Sequence, residues 1–245
     1  MKQKILLLSE ARHGTTYVIS EIEVASLSYL DSTVCCYEFL SRSKDQNAQC
    51  LKCLERLEAD TDFCHVRHKY PIKFFNLFMD AVDNSPCDNF FSKVFASQIF
   101  PNTPTDQPMK LDLALERFDK IIILDRNPIE YIFSHANAFY FPCGKNPWGI
   151  KQRHQKQSDI KLNQGMIDAY KTILSTKDKC FRQTRRYCKK NNKPLLDIQY
   201  DELADVHEKF FNFTGLKAKV FKKFEPIKHD YETFLKLNPS VHDLF

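Results

Sequence analysis

The hydrophobic residues of this chain fall into short unbroken runs that alternate with longer segments of helical spacing. An unbroken run of about four to eight apolar residues is typical of a strand buried on both faces, as in a parallel sheet. A run of this kind predicts a strand at 4–9, and apolar segments of similar length, two of them interrupted by polar residues, predict further strands at 33–37, 90–95, 120–125 and 194–198. Apolar positions three and four residues apart predict helices at 15–29, 71–83, 110–117, 128–140, 157–191 (one helix or two) and 203–213. The sequence therefore predicts an α/β fold, with a central parallel sheet flanked by helices.

The order of these elements predicts how the chain is organised. Strands that alternate with helices form right-handed βαβ units, and the turns after parallel strands then meet at the carboxyl edge of the sheet. Ligands of such folds bind at that edge. The sequence has no repeat, low-complexity tract or linker, so 1–245 is predicted to be one domain with a Cys/His-rich insertion around 41–70. Gly215 is predicted to cap the helix that precedes it.

Composition excludes several classes of protein. The chain has 245 residues, 43% of them hydrophobic and only five of them glycine, which favours a folded core over a disordered or fibrous chain. No apolar run approaches the ~20 residues of a membrane span, and no signal peptide precedes the first strand, so we expect a cytoplasmic protein. The nine cysteines are an odd number and are predicted to be mostly buried free thiols.

The net charge of +5 is small but unevenly distributed. Residues 151–200 contain 13 Lys and Arg against 4 Asp and Glu. A basic helical surface of this kind attracts an anionic ligand, or it is simply the solvated face of a helix.

The turn after the first strand has the composition of an anion-binding loop. Residues 11–16 lie between a strand and a helix, where backbone N–H groups and the helix dipole favour an anion. Gly14 lets the backbone approach a phosphate closely, and Arg12, Thr15 and Thr16 add donors. The loop is not a Walker A motif, because Thr15 stands where that motif has lysine. A glycine that serves only the turn is an equally good explanation of this segment alone.

A second segment suited to a phosphate follows the strand at 120–125. Asn127 is a good N-cap, Pro128 suits the first helical position, and Glu130 completes a pattern like a capping box. Arg126 is therefore predicted at a strand end that faces the start of a helix, where its planar fork can bind a phosphate bidentately. Ser134 lies two turns along the same helix. The alternative is a capped helix beside a surface arginine.

Together the two segments resemble the cofactor motifs of the sulfotransferases, which use 3′-phosphoadenosine-5′-phosphosulfate (PAPS). The first loop matches that family at Arg12, Gly14, Thr15 and Thr16. It departs at His13, where the family usually has serine. The resemblance implies a P-loop-NTPase-like sulfotransferase fold in which all five of these residues contact the cofactor.

The second segment carries the more specific part of the resemblance. It matches the family at Arg126, Asn127, Pro128 and Ser134, which implies that Arg126 and Ser134 hold the 3′-phosphate of PAPS. The late strand ending at Tyr200 is similar to a family strand whose tyrosine lies near the adenine. The Arg-Lys-Gly element that cytosolic members carry near the C-terminus is absent, so 3′-phosphate binding is expected to depend mainly on Arg126 and Ser134.

The resemblance also implies a mechanism and its catalytic residues. Sulfonate transfer is an in-line displacement, like phosphoryl transfer. Arg12 is expected to stabilise the leaving phosphate, and Lys93 is expected to contact the moving sulfonate, unless it is a surface lysine at the end of a strand. Glu38 is the preferred general base, because other members place an acid after the second strand. Glu10 and His13 are weaker candidates for this role.

The sequence leaves the acceptor open. It is a carbohydrate, a protein tyrosine or a small alcohol, and the arginine in the first loop favours the carbohydrate and protein sulfotransferases. His135 and Asn137 either line the acceptor side or are buried by their helix. We expect no metal requirement, no nucleic-acid partner and no membrane span. The alternatives are another nucleotide-dependent enzyme such as a kinase, a degenerate P-loop-like nucleotide-binding protein, and a zinc-stapled binding module.

The zinc alternative depends on Cys50, Cys53, Cys64, His65 and His68. These residues have the ligand types and roughly the spacing of a structural zinc site. The first two cysteines also fit an ordinary amphipathic helix, and no glycine-rich knuckle is present. Alternatively, the basic residues at 65–69 bind an anionic acceptor.

Overall fold

A computed structural model of the chain describes the greater part of its residues. These are residues 2–10, 18, 33–37, 44–62, 64, 70–99, 110–139, 160–204, 206–215 and 231–244.

Within these ranges, five strands form one sheet in which all neighbouring pairs are parallel. This confirms the predicted α/β fold with a central parallel sheet flanked by helices. The strands are β1 (Gln3–Ser9), β2 (Thr33–Tyr37), β3 (Asn89–Phe95), β4 (Lys120–Asp125) and β5 (Leu195–Gln199). Their order across the sheet is β2-β3-β1-β4-β5, so the first strand of the chain is the central one.

Helices connect the strands and follow the last of them. The described α-helices are α1 (Lys44–Arg56), α2 (Pro71–Asn84), α3 (Ala96–Ile99), α4 (Leu111–Arg117), α5 (Pro128–Phe139), α6 (Gln164–Lys190), α7 (Val206–Thr214) and α8 (Tyr231–Leu237). Short 3-10 helices span Tyr200–Ala204 and Pro239–Leu244. Of the helix predicted at 15–29, the described part is Val18, which is helical. No helix in the described ranges is both long enough and apolar enough to cross a membrane.

Two predicted helix boundaries were wrong. The helix predicted at 157–191 is the single helix α6, and it begins only at Gln164, because Asn163 caps it by accepting a hydrogen bond from the backbone N–H of Met166 at 3.0 Å. The helix predicted at 203–213 is divided into the 3-10 turn Tyr200–Ala204 and α7. Gly215, with φ of 72°, ends α7 as predicted.

The two faces of the sheet carry separate apolar clusters. On one face, here called the α6 face, residues of the sheet such as Leu6, Phe90 and Ile123 pack with helices α1, α2, α4 and the second half of α6. On the opposite face, here called the α7 face, alternate residues of the same strands pack with Val18 and α7. The central strands β1 and β4 are buried on both sides, which explains why their apolar runs are unbroken.

A third cluster joins α5 to the first half of α6 and to the C-terminal helix α8. Phe133 of α5 packs edge-on against Phe234 of α8, with ring centroids 5.2 Å apart. The buried side chain of Asn238 ties this cluster to the segment before α6, since it bonds to the backbone of both Ile160 and Leu162. The C-terminal helix is thereby placed beside the start of α5.

The strand order creates a switch in the direction of the chain at β1. From β1 the chain moves to the edge strand β2, whereas the connection from β3 to β4 passes β1 in the other direction. Right-handed crossovers of opposite direction lie on opposite faces, in agreement with the position of Val18 on the α7 face and of α1, α2 and α4 on the α6 face. A ligand crevice is expected at the carboxyl ends of the strands around such a point.

Candidate functional site

The carboxyl ends of β1 and β4 are tied together at the switch point. The buried hydroxyl of Ser9 has one proton to donate, and two carbonyl oxygens lie within hydrogen-bond distance of it, that of Leu124 at 3.0 Å and that of Glu10 at 3.1 Å. The side chains of the next two residues, Asp125 at the end of β4 and Arg126 in the turn, then extend away from each other. The Asp125 carboxylate reaches Lys177 of α6, while the Arg126 side chain lies against Tyr200, which packs with the α7-face cluster.

Arg126 is the centre of the best-defined group of polar and aromatic side chains at this edge. Its guanidinium carbon lies 3.8 Å from the centroid of the Tyr200 ring, and its Nε lies 3.4 Å from Oε2 of Glu130. It also lies near enough to the hydroxyl of Tyr231, the first residue of α8, to influence the pKa of that hydroxyl. We call Arg126, Glu130, Tyr200 and Tyr231 the Arg126 cluster.

Burial gives the Arg126 cluster its electrostatic character. The Arg126 side chain is only 3% exposed, so its charge acts in a medium of lower effective dielectric than water. The alternative of a surface arginine is therefore not what the structure contains. Burial, with the Glu130 charge as the next cause, raises the pKa of Tyr231 to about 12, while Arg126 acts in the opposite direction. Tyr231 consequently remains a neutral hydroxyl at physiological pH.

The start of α5 is built as the sequence predicted, with one difference. Asn127 caps the helix, since its Oδ1 accepts from the backbone N–H of Ile129 at 3.0 Å, and Pro128 is the first helical residue. Glu130 was expected to complete a capping box, but its carboxylate contacts the guanidinium of Arg126. Arg126, two residues before the helix, is therefore held by the helix's own first turn.

Ser134 lies one turn beyond Glu130 on the same face of α5. It is 2% exposed, and within the described residues its hydroxyl makes no hydrogen bond. A buried hydroxyl without a partner costs free energy, so a ligand that accepts a hydrogen bond there gains affinity. The structure thus places a buried cation, an aromatic ring and a buried hydroxyl at the start of one helix.

Lys93 is a buried residue, not a surface lysine. It is 3% exposed, it precedes the end of β3 by two residues, and it pairs with Leu7 of β1. Alternation along β3 puts its side chain on the α7 face with Phe91. Its Nζ lies 5.1 Å from the centroid of the Phe95 ring, so the side chain extends toward the carboxyl edge. A buried lysine on the face that also carries Arg126 is compatible with anion binding.

Glu10, a weaker candidate for the general base, is held by the first turn of α3. Its two carboxylate oxygens accept from the backbone N–H of Ser97 at 3.0 Å and from the Ser97 hydroxyl at 2.9 Å. The residue is 4% exposed. These contacts indicate a structural role that joins the end of β1 to the end of β3.

Several predicted site residues lie outside the described ranges. In the first loop these are Arg12, His13, Gly14, Thr15 and Thr16. The proposed base Glu38, together with His65 and His68 of the possible zinc group, also falls outside them.

The cysteines that are described behave as buried thiols, as predicted. All eight described cysteines are buried thiols outside any disulfide, among them Cys50, Cys53 and Cys64 in the α6-face cluster. Burial and a hydrogen bond with Cys53 raise the pKa of Cys36 well above its ordinary value. Among the described residues, no three side chains of the metal-binding types are grouped to hold an ion. The burial of Cys50 and Cys53 on α1 agrees with the amphipathic-helix interpretation of these two cysteines.

His135 and Asn137 are both half-buried on α5. His135 Nδ1 lies 3.2 Å from the Tyr170 hydroxyl, and its ring packs against those of Tyr131 and Tyr170. Asn137 donates to the carbonyl oxygen of Phe133 at 2.9 Å. The His135 contacts join α5 to α6, whereas the Asn137 bond stays within α5.

Two residues of the site were not found by sequence reasoning. Lys177 lies on the buried stripe of α6, between Leu174 and Phe181, where a charged residue interrupts an apolar pattern. That interruption was a usable signal. Tyr231 had no signal, because its position depends on long-range packing of α8 against α5.

The buried thiol of Cys180 predicts a loss of stability at alkaline pH. Burial, followed by the charge of Glu10, raises the pKa of Cys180 from 9.0 to about 12. Below pH 9 the thiol is protonated in both states, whereas between pH 9 and 12 the unfolded chain loses the proton that the folded chain keeps. The free energy of unfolding should therefore fall by about 1.4 kcal/mol per pH unit from this residue alone.

Urea denaturation at pH 8 and pH 10.5 measures this effect. The fall should be smaller in Cys180→Ala than in the wild type, because alanine has no proton to lose. Equal falls in the two proteins would show that Cys180 ionises normally in the folded state.

Comparison with known proteins adds no family assignment. No family's sequence profile matches the chain, and a search of curated proteins returns no match. The chemistry of the site is therefore the basis for assigning a function.

Proposed function

We propose that this chain is a sulfotransferase that moves a sulfonate group from PAPS to a hydroxyl or amine acceptor. The proposal is supported chiefly by one observation. Arg126, the arginine expected to hold the 3′-phosphate, is buried at the carboxyl edge and stacks at 3.8 Å on Tyr200, the residue expected beside the adenine. The sequence motifs that suggested these two roles are separated by more than seventy residues, and packing brings them into contact.

The residues of the site fit the chemical groups of such a nucleotide. Arg126 carries five N–H donors, so it can bind a phosphate bidentately while its Nε stays near Glu130. Ser134 offers a buried hydroxyl without a partner among the described residues. Tyr200 offers an aromatic face against which a base can stack, with the guanidinium on its other side. The neutral hydroxyl of Tyr231 is a further donor.

The proposed reaction needs alignment and charge stabilisation more than acid–base chemistry. The acceptor oxygen attacks sulfur as the bond from sulfur to the phosphate oxygen breaks, and the acceptor's proton passes to a general base, for which Glu38 is our candidate. Arg12 stabilises charge on the leaving phosphate, and Lys93 contacts the sulfonate oxygens. No metal is required. The acceptor is a carbohydrate, a protein tyrosine or a small alcohol.

Thermal denaturation of the wild type with two nucleotides tests the proposal. Adenosine 3′,5′-bisphosphate, the desulfated product of PAPS, should stabilise the fold by about 2.7 kcal/mol at 100 times its Kd. For a chain of this size, that raises the Tm by roughly 5–10 °C. Mg·ATP at the same concentration should give a smaller shift, because it lacks the 3′-phosphate that Arg126 binds.

A larger shift with Mg·ATP would support the kinase alternative instead. The absence of a shift with either nucleotide, in a protein that is folded, would reject the proposal. If the bisphosphate binds, ³⁵S-labelled PAPS incubated with a carbohydrate, a tyrosine peptide and a phenol identifies the class of acceptor.

A further inference from the structure

One ion pair at the carboxyl edge, between a buried lysine and a partly buried aspartate, has no part in the proposed chemistry. Lys177 of α6 is 2% exposed, and its Nζ lies 2.8 Å from Oδ1 of Asp125. The same Oδ1 accepts a hydrogen bond from the backbone N–H of Arg126, also at 2.8 Å. A second carboxylate, that of the exposed Asp178, lies farther from Nζ, at 3.6 Å. The chain of contacts runs from Lys177 through Asp125 to the backbone of Arg126.

Stability alone does not explain why a lysine lies at this position. Its neighbours on the buried stripe of α6 are apolar, and a buried ion pair is often no more stabilising than well-packed apolar residues of similar volume. What the pair adds is geometry. Nζ holds the Asp125 carboxylate in the position from which it fixes the Arg126 peptide group.

Lys177 also lies where two parts of the core meet. The residues of α6 before it, including Leu174, pack in the cluster with α5 and α8, and the residues after it, including Phe181, pack in the α6-face cluster. The Lys177–Asp125 contact therefore connects the end of β4 to the helix that spans both clusters. Through these contacts, a shift of α6 would also move the backbone of Arg126.

We propose that Lys177 is a positioning residue, which sets the orientation of the Arg126 guanidinium through Asp125 and so contributes to recognition of the 3′-phosphate. The inference rests on the proposed function, since it assigns Lys177 a role in the same nucleotide site. Lys177 itself does not touch the nucleotide. Its contribution is seen in discrimination between nucleotides with and without that phosphate.

The informative quantity is the 3′-phosphate factor, defined as the Kd of adenosine 5′-monophosphate divided by the Kd of adenosine 3′,5′-bisphosphate. A residue that only stabilises the fold changes both constants alike and leaves this ratio unchanged. Lys177→Met leaves Asp125 unpaired, and we expect a lower Tm together with a factor reduced about tenfold. Lys177→Arg keeps a cationic donor and should recover most of the factor.

The double variant Asp125→Leu with Lys177→Met separates positioning from stability. It replaces both charges by apolar groups, so the Tm should return toward that of the wild type, while the 3′-phosphate factor should stay about tenfold low. If the double variant does not fold, Lys177→Met, measured well below its own Tm, gives the same comparison.

The matched control removes the Arg185–Asp197 pair, which also joins α6 to a strand but is exposed. The double variant Arg185→Met with Asp197→Leu should keep the wild-type factor. Recovery of the factor together with the Tm in the Asp125/Lys177 variant would overturn the positioning role. A wild-type factor near one would overturn the proposed function and this inference with it, so the two failures are distinguishable.

Discussion

Replacing Arg126 with alanine is expected to weaken the binding of adenosine 3′,5′-bisphosphate about 100-fold. Hydrogen bonds between charged groups contribute about 1.5–3 kcal/mol each, and a loss of about 3 kcal/mol corresponds to roughly a 100-fold change in Kd. The side chain is 3% exposed, so its charge is weakly screened, and alanine at this position leaves a bound phosphate without its main cation. Isothermal titration calorimetry measures the change.

Two further variants show which property of Arg126 matters. Arg126→Lys keeps the charge but loses the planar fork, so about a tenfold loss is expected. Arg117→Ala is the control, because Arg117 pairs with Asp80 and Asp83 at 2.8 Å, just before β4 begins at the opposite edge of the sheet. It should bind as the wild type does. If Arg126→Ala also binds within threefold of the wild type, Arg126 does not contact the ligand.

Replacing Asn238 with alanine is expected to lower the free energy of unfolding by about 3 kcal/mol. Two buried backbone groups lose their hydrogen-bond partners, and each loss costs about 1–3 kcal/mol. The Asn238 side chain donates to the carbonyl oxygen of Ile160 at 2.7 Å and accepts from the backbone N–H of Leu162 at 2.7 Å. Both backbone groups lose their partner in the variant. The third bond, to the carbonyl oxygen of Phe234, is partly replaced because the backbone N–H of residue 238 also donates there.

Urea denaturation tests the Asn238 prediction with an exposed asparagine as control. Asn191 makes one similar bond, from Nδ2 to the carbonyl oxygen of Tyr187 at 2.9 Å, but it is solvent-exposed. Asn191→Ala should change stability by less than about 1 kcal/mol. Equal effects of the two substitutions would show that the segment before α6 does not depend on Asn238.

The elements that depend on local chemistry were predicted well. The unbroken run at 120–125 is strand β4, because a strand covered on both faces needs apolar residues at every position. The cap at Asn127, the proline after it and the glycine at 215 specify helix ends through their own backbone and side-chain preferences. These signals lie within a few residues of the structure that they determine.

The features that depend on distant residues were not predicted. No local pattern indicates that β3 inserts between β1 and β2, because strand pairing is a long-range choice. The cap at Asn163 that starts α6 is local, but the backbone at 160 and 162 just before it is held by hydrogen bonds with Asn238, more than seventy residues away.

Some residues of the candidate site are indicated by local motifs, whereas others depend on long-range packing. Arg126, Ser134 and Tyr200 are candidates that local motifs suggest, but the burial of Arg126 and its contact with Tyr200 required the folded chain. Lys177 and Tyr231 reach the site by packing of α6 and α8, so no short motif contains them.

The central claim is that Arg126 recognises the 3′-phosphate of a nucleotide, and one thermodynamic cycle tests it most directly. The Kd values of adenosine 3′,5′-bisphosphate and adenosine 5′-monophosphate are measured by calorimetry for the wild type and for Arg126→Ala. We predict that the 3′-phosphate factor falls from about 100 to near one in the variant, while the Kd of the monophosphate changes less than about threefold. Equal weakening of both nucleotides, or a factor that is unchanged in the variant, would contradict the claim.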